Sequence, residues 1–210
     1  PELSEEVDAM LDYRGGLLQY FRDDKWRRDV IAHYRTNLQR MVQLADETRI
    51  PLLFINPASD LRDTPPFKSA HRSGLSTDEQ RRWEQLREKA RTYYSTDLGR
   101  SVVLQQEALA IDDQHAGLHY QLGQCQDALG DLDKARRHYL NAKDLDICPL
   151  RMLEPMHETL LDVATTSGTP VIDARALIAD LCRGGIPDQS WMVDHVHPTI
   201  QGHQLIANAI

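Results

Sequence analysis

Apolar residues recur at helical spacing between Asp29 and Thr48: Val30, Ile31, Tyr34, Leu38, Met41, Val42 and Leu44. That period places them on one face of an amphipathic helix. The pattern then changes. Pro51-Leu52-Leu53-Phe54-Ile55-Asn56-Pro57 is a short apolar run bounded by prolines, which suits a parallel strand covered on both faces. Ala58 to Ser76 is rich in Pro, Ser, Asp and Gly and reads as loop. Helical spacing returns from Thr77 to Tyr94, with Ser76-Thr77-Asp78-Glu79 as its start signal. Pro149 to Thr166 reads as another helix, Thr169 to Asp173 as a second short strand and Ala174 to Leu181 as a helix. Arg183 to Pro187 is loop, and Pro198 then opens an apolar terminal segment, Leu205 to Ile210. Proline suits the first turn of a helix because its missing N–H would be unpaired there.

An internal repeat lies between these parts. Ala108-Leu109-Ala110-Ile111-Asp112 matches Ala142-Lys143-Asp144-Leu145-Asp146 at an offset of 34 residues, the tetratricopeptide period. Leu122-Gly123, Ala135, Tyr139 and Ala142 fall at the unit's small and aromatic positions, and Gly130-Asp131 makes the turn. His119 and Gln126 stand where Trp and Tyr are usual. So short an array should lean on its surroundings. The expectation is an α/β, doubly wound parallel-sheet domain from residues 1–94 and 147–210, with a helical insertion over residues 95–146.

Charge narrows the partners. The net charge of −8 over 210 residues argues against nucleic acid. Basic clusters such as Lys25-Trp26-Arg27-Arg28 are interleaved with acids and read as solvated helix faces. No apolar run reaches the ~20 residues that span a bilayer. No signal peptide is visible; the location stays open, with a cytoplasmic one favoured, since targeting signals could lie in a missing N-terminal part. Cys125, Cys148 and Cys182 are scattered and odd in number, which predicts reduced thiols. No cofactor motif is present. The chain opens on Pro1 and reads as part of a longer polypeptide.

The chemistry concentrates near the end, in Trp191-Met192-Val193-Asp194-His195-Val196-His197-Pro198. Asp194 and His197 are three apart, on a loop before a helix. A carboxylate there orients an imidazole and stabilises its protonated form. The same spacing at Asp112 and His115 reads as repeat-junction surface. Asn56, Asp60 and Arg62 follow the first strand and are the candidate substrate-binding residues, with Lys68 further along that loop. Asp194, His195, His197 and His203 also offer an alternative, metal-binding reading. Trp191 is either a pocket wall or plain core.

Asp194-His195-Val196-His197-Pro198 resembles the closing Asp-x-x-His-Pro block of the SGNH (GDSL-like) hydrolases. The run from His33 to Ile55, the Asn56-to-Arg62 loop and Val171-Ile172-Asp173 resemble that family's later helix, strand and loop segments. The closest likeness is to members with tetratricopeptide repeats inside a flavodoxin-like hydrolase domain. The resemblance implies a small-molecule ester substrate, His197 as general base and Asp194 as its orienting acid. It also implies a serine in a Gly-Asp-Ser block and oxyanion donors in Gly and Asn blocks. None of those three blocks occurs in this sequence, and in family order all would precede Asp29. The rival reading is a non-catalytic protein whose repeat binds a peptide or protein partner.

Overall fold

The computed structural model describes residues 15–210 and is a mixed, helix-rich structure with one small parallel sheet. A 3₁₀ turn at Gly16–Gln19 leads into α1 (Asp24–Thr48) and β1 (Phe54–Asn56). Four helices follow: α2 (Thr77–Tyr93), α3 (Leu98–Ile111), α4 (Ala116–Ala128) and α5 (Leu132–Asp144). The chain closes with α6 (Glu154–Ser167), β2 (Val171–Asp173), α7 (Ala174–Leu181) and α8 (Ile200–Ala209).

Helix α1 begins five residues before the expected start. The Asp23 side chain accepts the Trp26 N–H at 2.8 Å, and Asp24 places a negative charge in the first turn. Ser76 starts α2 through a capping box: its hydroxyl accepts the Glu79 N–H, and Glu79 in turn accepts the Ser76 N–H.

β1 and β2 pair in parallel, with Phe54 opposite Val171 and Asn56 opposite Asp173. Side chains alternate across a strand, so Phe54 faces inward and packs with Leu38 of α1 and Leu160, Val163 and Ala164 of α6. Ile55 faces the other way and is 40 % exposed. The expected covering of both faces is therefore corrected: among the described residues, α1 and α6 bury one face only.

The helical insertion is larger than the repeat predicts. α2 and α3 form one hairpin, and α4 and α5 form another. Trp83 of α2 joins Val102 and Ala108 of α3 and Leu118, Leu122 and Cys125 of α4 in a single buried cluster. The helical body therefore begins at Thr77, and a boundary at residue 95 would cut a hairpin in two. Gly130 turns the chain between α4 and α5 with φ +82°, a conformation open to glycine. All three cysteines are free.

Gly123 marks the α4–α5 crossing. A Cβ there would lie 2.8 Å from Cδ1 of Tyr139. Gly123→Ala should therefore destabilise the protein although alanine favours helices by about 1 kcal/mol. Overpacking typically costs about 1–3 kcal/mol, so the net loss should lower Tm by several degrees in thermal denaturation.

A candidate Asp–His site at the strand ends

The loop carrying Asp194 and His197 is held closed at its base. Met192 and Pro198 form an isolated antiparallel bridge. The Val193 N–H donates to the His197 carbonyl at 2.7 Å, and the Thr199 N–H donates to the Trp191 carbonyl at 2.9 Å. Met192 is buried with Ala58 and Ile178, and Trp191 packs on the same cluster. Pro198 lies just outside α8 rather than in its first turn. Thr199 is the cap, because its hydroxyl accepts the Gly202 N–H. Gly202 is needed at this contact: a Cβ there would come within 2.8 Å of Pro198 Cβ and 3.0 Å of the Trp191 carbonyl.

This frame positions the pair. Asp194 Oδ1 accepts the Val196 and His197 backbone N–H groups, each at 2.8 Å. Asp194 Oδ2 lies 2.7 Å from His197 Nδ1. The Val196 and His197 amides, then the imidazole, hold the Asp194 carboxyl well below the usual carboxylate range. An anionic Asp194 requires the hydrogen on Nδ1 of His197, so Nε2 carries the free lone pair. The His197 side chain is 71 % exposed.

The loop after β1 is stitched to this segment. The Asp60 N–H donates to the His195 carbonyl, and the Leu61 and Arg62 N–H groups donate to the Pro187 carbonyl. The Gln189 N–H donates to Asp63 Oδ2. The His195 ring stands edge-on to Phe67, with centroids 5.1 Å apart. The pair thus sits beside the carboxyl ends of the two strands, where sites of parallel α/β sheets lie.

The three proposed substrate-binding residues are occupied within the protein. Asn56 donates to Asp173 Oδ1 at 3.0 Å and accepts from His157 Nδ1 at 2.6 Å. Asp60 accepts from the Asp63 N–H and the Thr64 hydroxyl, and burial pushes its carboxyl pKa up. Arg62 donates to Asp127 of α4, to Asp188 and to the Arg183 carbonyl. Burial disfavours the Arg62 charge, but Asp127 and Asp188 outweigh that and raise its pKa. These contacts lock the loop to the helical body and to the segment before Asp194. Lys68 donates to the carbonyls of Leu17 and Tyr20. His203 lies on an exposed side of α8, and among the described residues no group of three His, Cys, Asp or Glu side chains converges as a metal-ligand set.

A second Asp–His pair lies elsewhere. Asp112 is 0 % exposed, which corrects its reading as surface. Its partner is His71, Nδ1 to Oδ2 at 2.7 Å, with the His71 ring edge-on to Trp83. His115 instead caps α4, its Nδ1 accepting the Leu118 N–H. His71 and Asp112 are 41 residues apart, so no local spacing reveals the pair. Arg151 has no local sequence signal either: it is buried and donates to the carbonyls of Asp60 and Thr64, which fixes the post-β1 loop.

A cleft of about 560 Å³ opens between the start of α1 and the α5–α6 link, lined by Phe21, Trp26, Val30 and Leu150 among others. Neither Asp194 nor His197 lines it. No helix among the described residues is long and apolar enough to cross a membrane. No protein-family model, curated protein or solved structure matches the chain.

Proposed function

We propose that Asp194 and His197 form the imidazole half of a serine-type ester hydrolase of SGNH-like, flavodoxin-like build, with the serine and oxyanion donors supplied by sequence outside these 210 residues. The observation that carries this reading is the 2.7 Å contact from Asp194 Oδ2 to His197 Nδ1, which leaves Nε2 free on an exposed ring. In the reaction, the serine oxygen bonds to the ester carbonyl carbon while Nε2 takes the hydroxyl proton. Asp194 stabilises the resulting imidazolium. Nε2 then gives that proton to the departing alkoxide oxygen, leaving an acyl-enzyme. Water attacks the acyl carbon as Nε2 takes its proton, and the serine regains that proton as the acid leaves. No metal enters these steps.

The test is hydrolysis of p-nitrophenyl acetate and butyrate by the full-length polypeptide, together with labelling by a fluorophosphonate. Turnover and a labelled serine outside residues 1–210 are expected. Neither turnover nor label would overturn the reading. Loss of turnover with a chelator, restored by zinc, would transfer the role to Asp194, His195, His197 and His203 as metal ligands.

A second reading has its own support. The Asp194 contacts to the Val196 and His197 amides are those of a turn-capping carboxylate, and the helical body from Thr77 to Asp144 is a large part of the chain. On that reading the loop is structural and the helices bind a protein or peptide. Intact peptide binding in a protein with no esterase activity would support it.

A further inference from the structure

We infer that the cleft between α2, α3 and α4 binds a small organic anion that carries a phosphate or carboxylate beside a hydroxyl or amino group. The cleft has a volume of about 340 Å³, and Arg87, Arg91, Tyr94, Gln105, Gln121 and Gln124 line it. That size lies at the small end of the range for small-molecule sites.

Its charge is one-sided. Among the described residues two guanidinium groups and no carboxylate line the cleft, in a chain whose net charge is −8. Arg87 has no carboxylate within ion-pair distance among the described residues. Its contacts are Gln121 Oε1 at 3.4 Å and the Trp83 ring at 5.5 Å. Burial, then the like charge of Arg91, makes the Arg87 guanidinium less basic than usual. Glu88 offsets this only in part and makes no direct pair with it. A half-buried cation without a paired carboxylate is costly, and an oxyanion bound across its fork removes that cost. Among the described residues Arg91 pairs only with Glu88, at 3.4 Å and well exposed, a weak pair that a ligand can displace.

A second, independent observation sets the rest of the ligand. Gln105 is 2 % exposed. Its amide nitrogen donates to Ser101 Oγ and Cys125 Sγ, while its amide oxygen has no partner among the described residues. A buried acceptor left unpaired asks for a donor. Gln105 lines the cleft, so a small rotation of its amide presents the oxygen to a hydroxyl or amine next to the oxyanion, and the exposed Tyr94 ring gives a flat wall for the carbon skeleton.

Calorimetric titration of the protein with glycerol 3-phosphate and with citrate, at matched ionic strength, tests the site. Saturable binding of at least one probe is expected, and the one that binds identifies the oxyanion. Arg87→Gln and Arg91→Gln should each weaken it about tenfold or more, as loss of a charged hydrogen bond does. Arg81→Gln, on the same helix but outside the cleft, should leave it unchanged. Arg91 is exposed, so its variant keeps the test valid if Arg87→Gln disturbs folding. No saturable binding of either probe, or binding unaltered by Arg91→Gln, would overturn the assignment. The cleft does not involve Asp194 or His197, so its outcome is independent of the esterase test.

Discussion

His197→Ala should lower kcat for ester hydrolysis by the full polypeptide about 10⁴- to 10⁶-fold, the range for removing a base from a serine triad. At about 1.4 kcal/mol per decade, that is roughly 5–8 kcal/mol of barrier. Folding should be nearly unaffected, because the ring is mostly exposed and the Asp194–Val196 and Asp194–His197 amide bonds remain. Asp194→Asn is the more discriminating variant. The asparagine oxygen can still accept the two amides, so the loop should keep its shape. Its NH₂ cannot accept the Nδ1–H of His197, so the ring is driven to the other tautomer and Nε2 loses its lone pair. A loss of about 10⁴-fold is expected by analogy with the orienting aspartate of serine proteases. Steady-state kinetics on both variants, with circular dichroism as a fold check, decides the matter. An unchanged rate in His197→Ala would end the hydrolase reading.

The second large effect is acid unfolding. Burial lowers the pKa of His115 and His138 to about 4 and that of His157 to about 3. All three are therefore neutral in the fold, while in the unfolded chain they titrate near 6.5. The unfolded state binds more protons below that value, so stability falls as pH drops through 6.5 towards 4 and 3. For the well-buried His115 and His157 the cost on reaching those values is on the order of 3 kcal/mol each, against a typical total of about 5–15 kcal/mol. Asp60, Asp144 and Asp146 oppose this in part, since burial raises their pKa values and their protonation favours the fold. The net expectation is loss of helical signal between about pH 5 and pH 4. His115→Asn keeps a good cap for α4 and removes one titrating ring, so its acid midpoint should move down. Urea titrations at stepped pH measure this, and a stability flat from pH 7 to 4 would contradict it.

How far the sequence reveals the molecule depends on the range of each interaction. Local signals work: Ser76 with Glu79 starts α2, and Asp173 through Leu181 ends a strand and forms α7 within the expected bounds. The Asp194–His197 contact was legible because three residues and a closed loop contain it. Asp23 caps a first turn that periodicity does not show, since its one large apolar residue, Trp26, points outward instead of joining the apolar stripe. The partners of Arg62, Asn56 and Asp112 are different in kind. Arg62 reaches 65 residues to Asp127 and 126 to Asp188, Asn56 reaches 101 to His157, and Asp112 reaches back 41 to His71. Polar residues on a Pro-rich loop look free in sequence because their partners arrive only with the tertiary fold. The 34-residue offset spans α3 to α5 but leaves α2 outside, because Trp83 joins the core from beyond the matching segment.

The register of the sheet bears on how the chain folds. Phe54 and Val171 are paired across 117 residues, a separation whose closure is entropically costly and slow for an open chain. The α2–α3 and α4–α5 hairpins need only short loops. Arg62–Asp127 and Asp146, which accepts the Phe67 and Lys68 amides, tie the strand ends to them. We therefore expect the hairpins to form first and the helical body to act as a template for sheet closure. A lesion there, such as Gly123→Ala, should slow refolding of the strands it does not touch. It should also prolong the exposure of Phe54, which the finished fold buries, on an unpaired strand, the condition under which edges find each other and the chain aggregates.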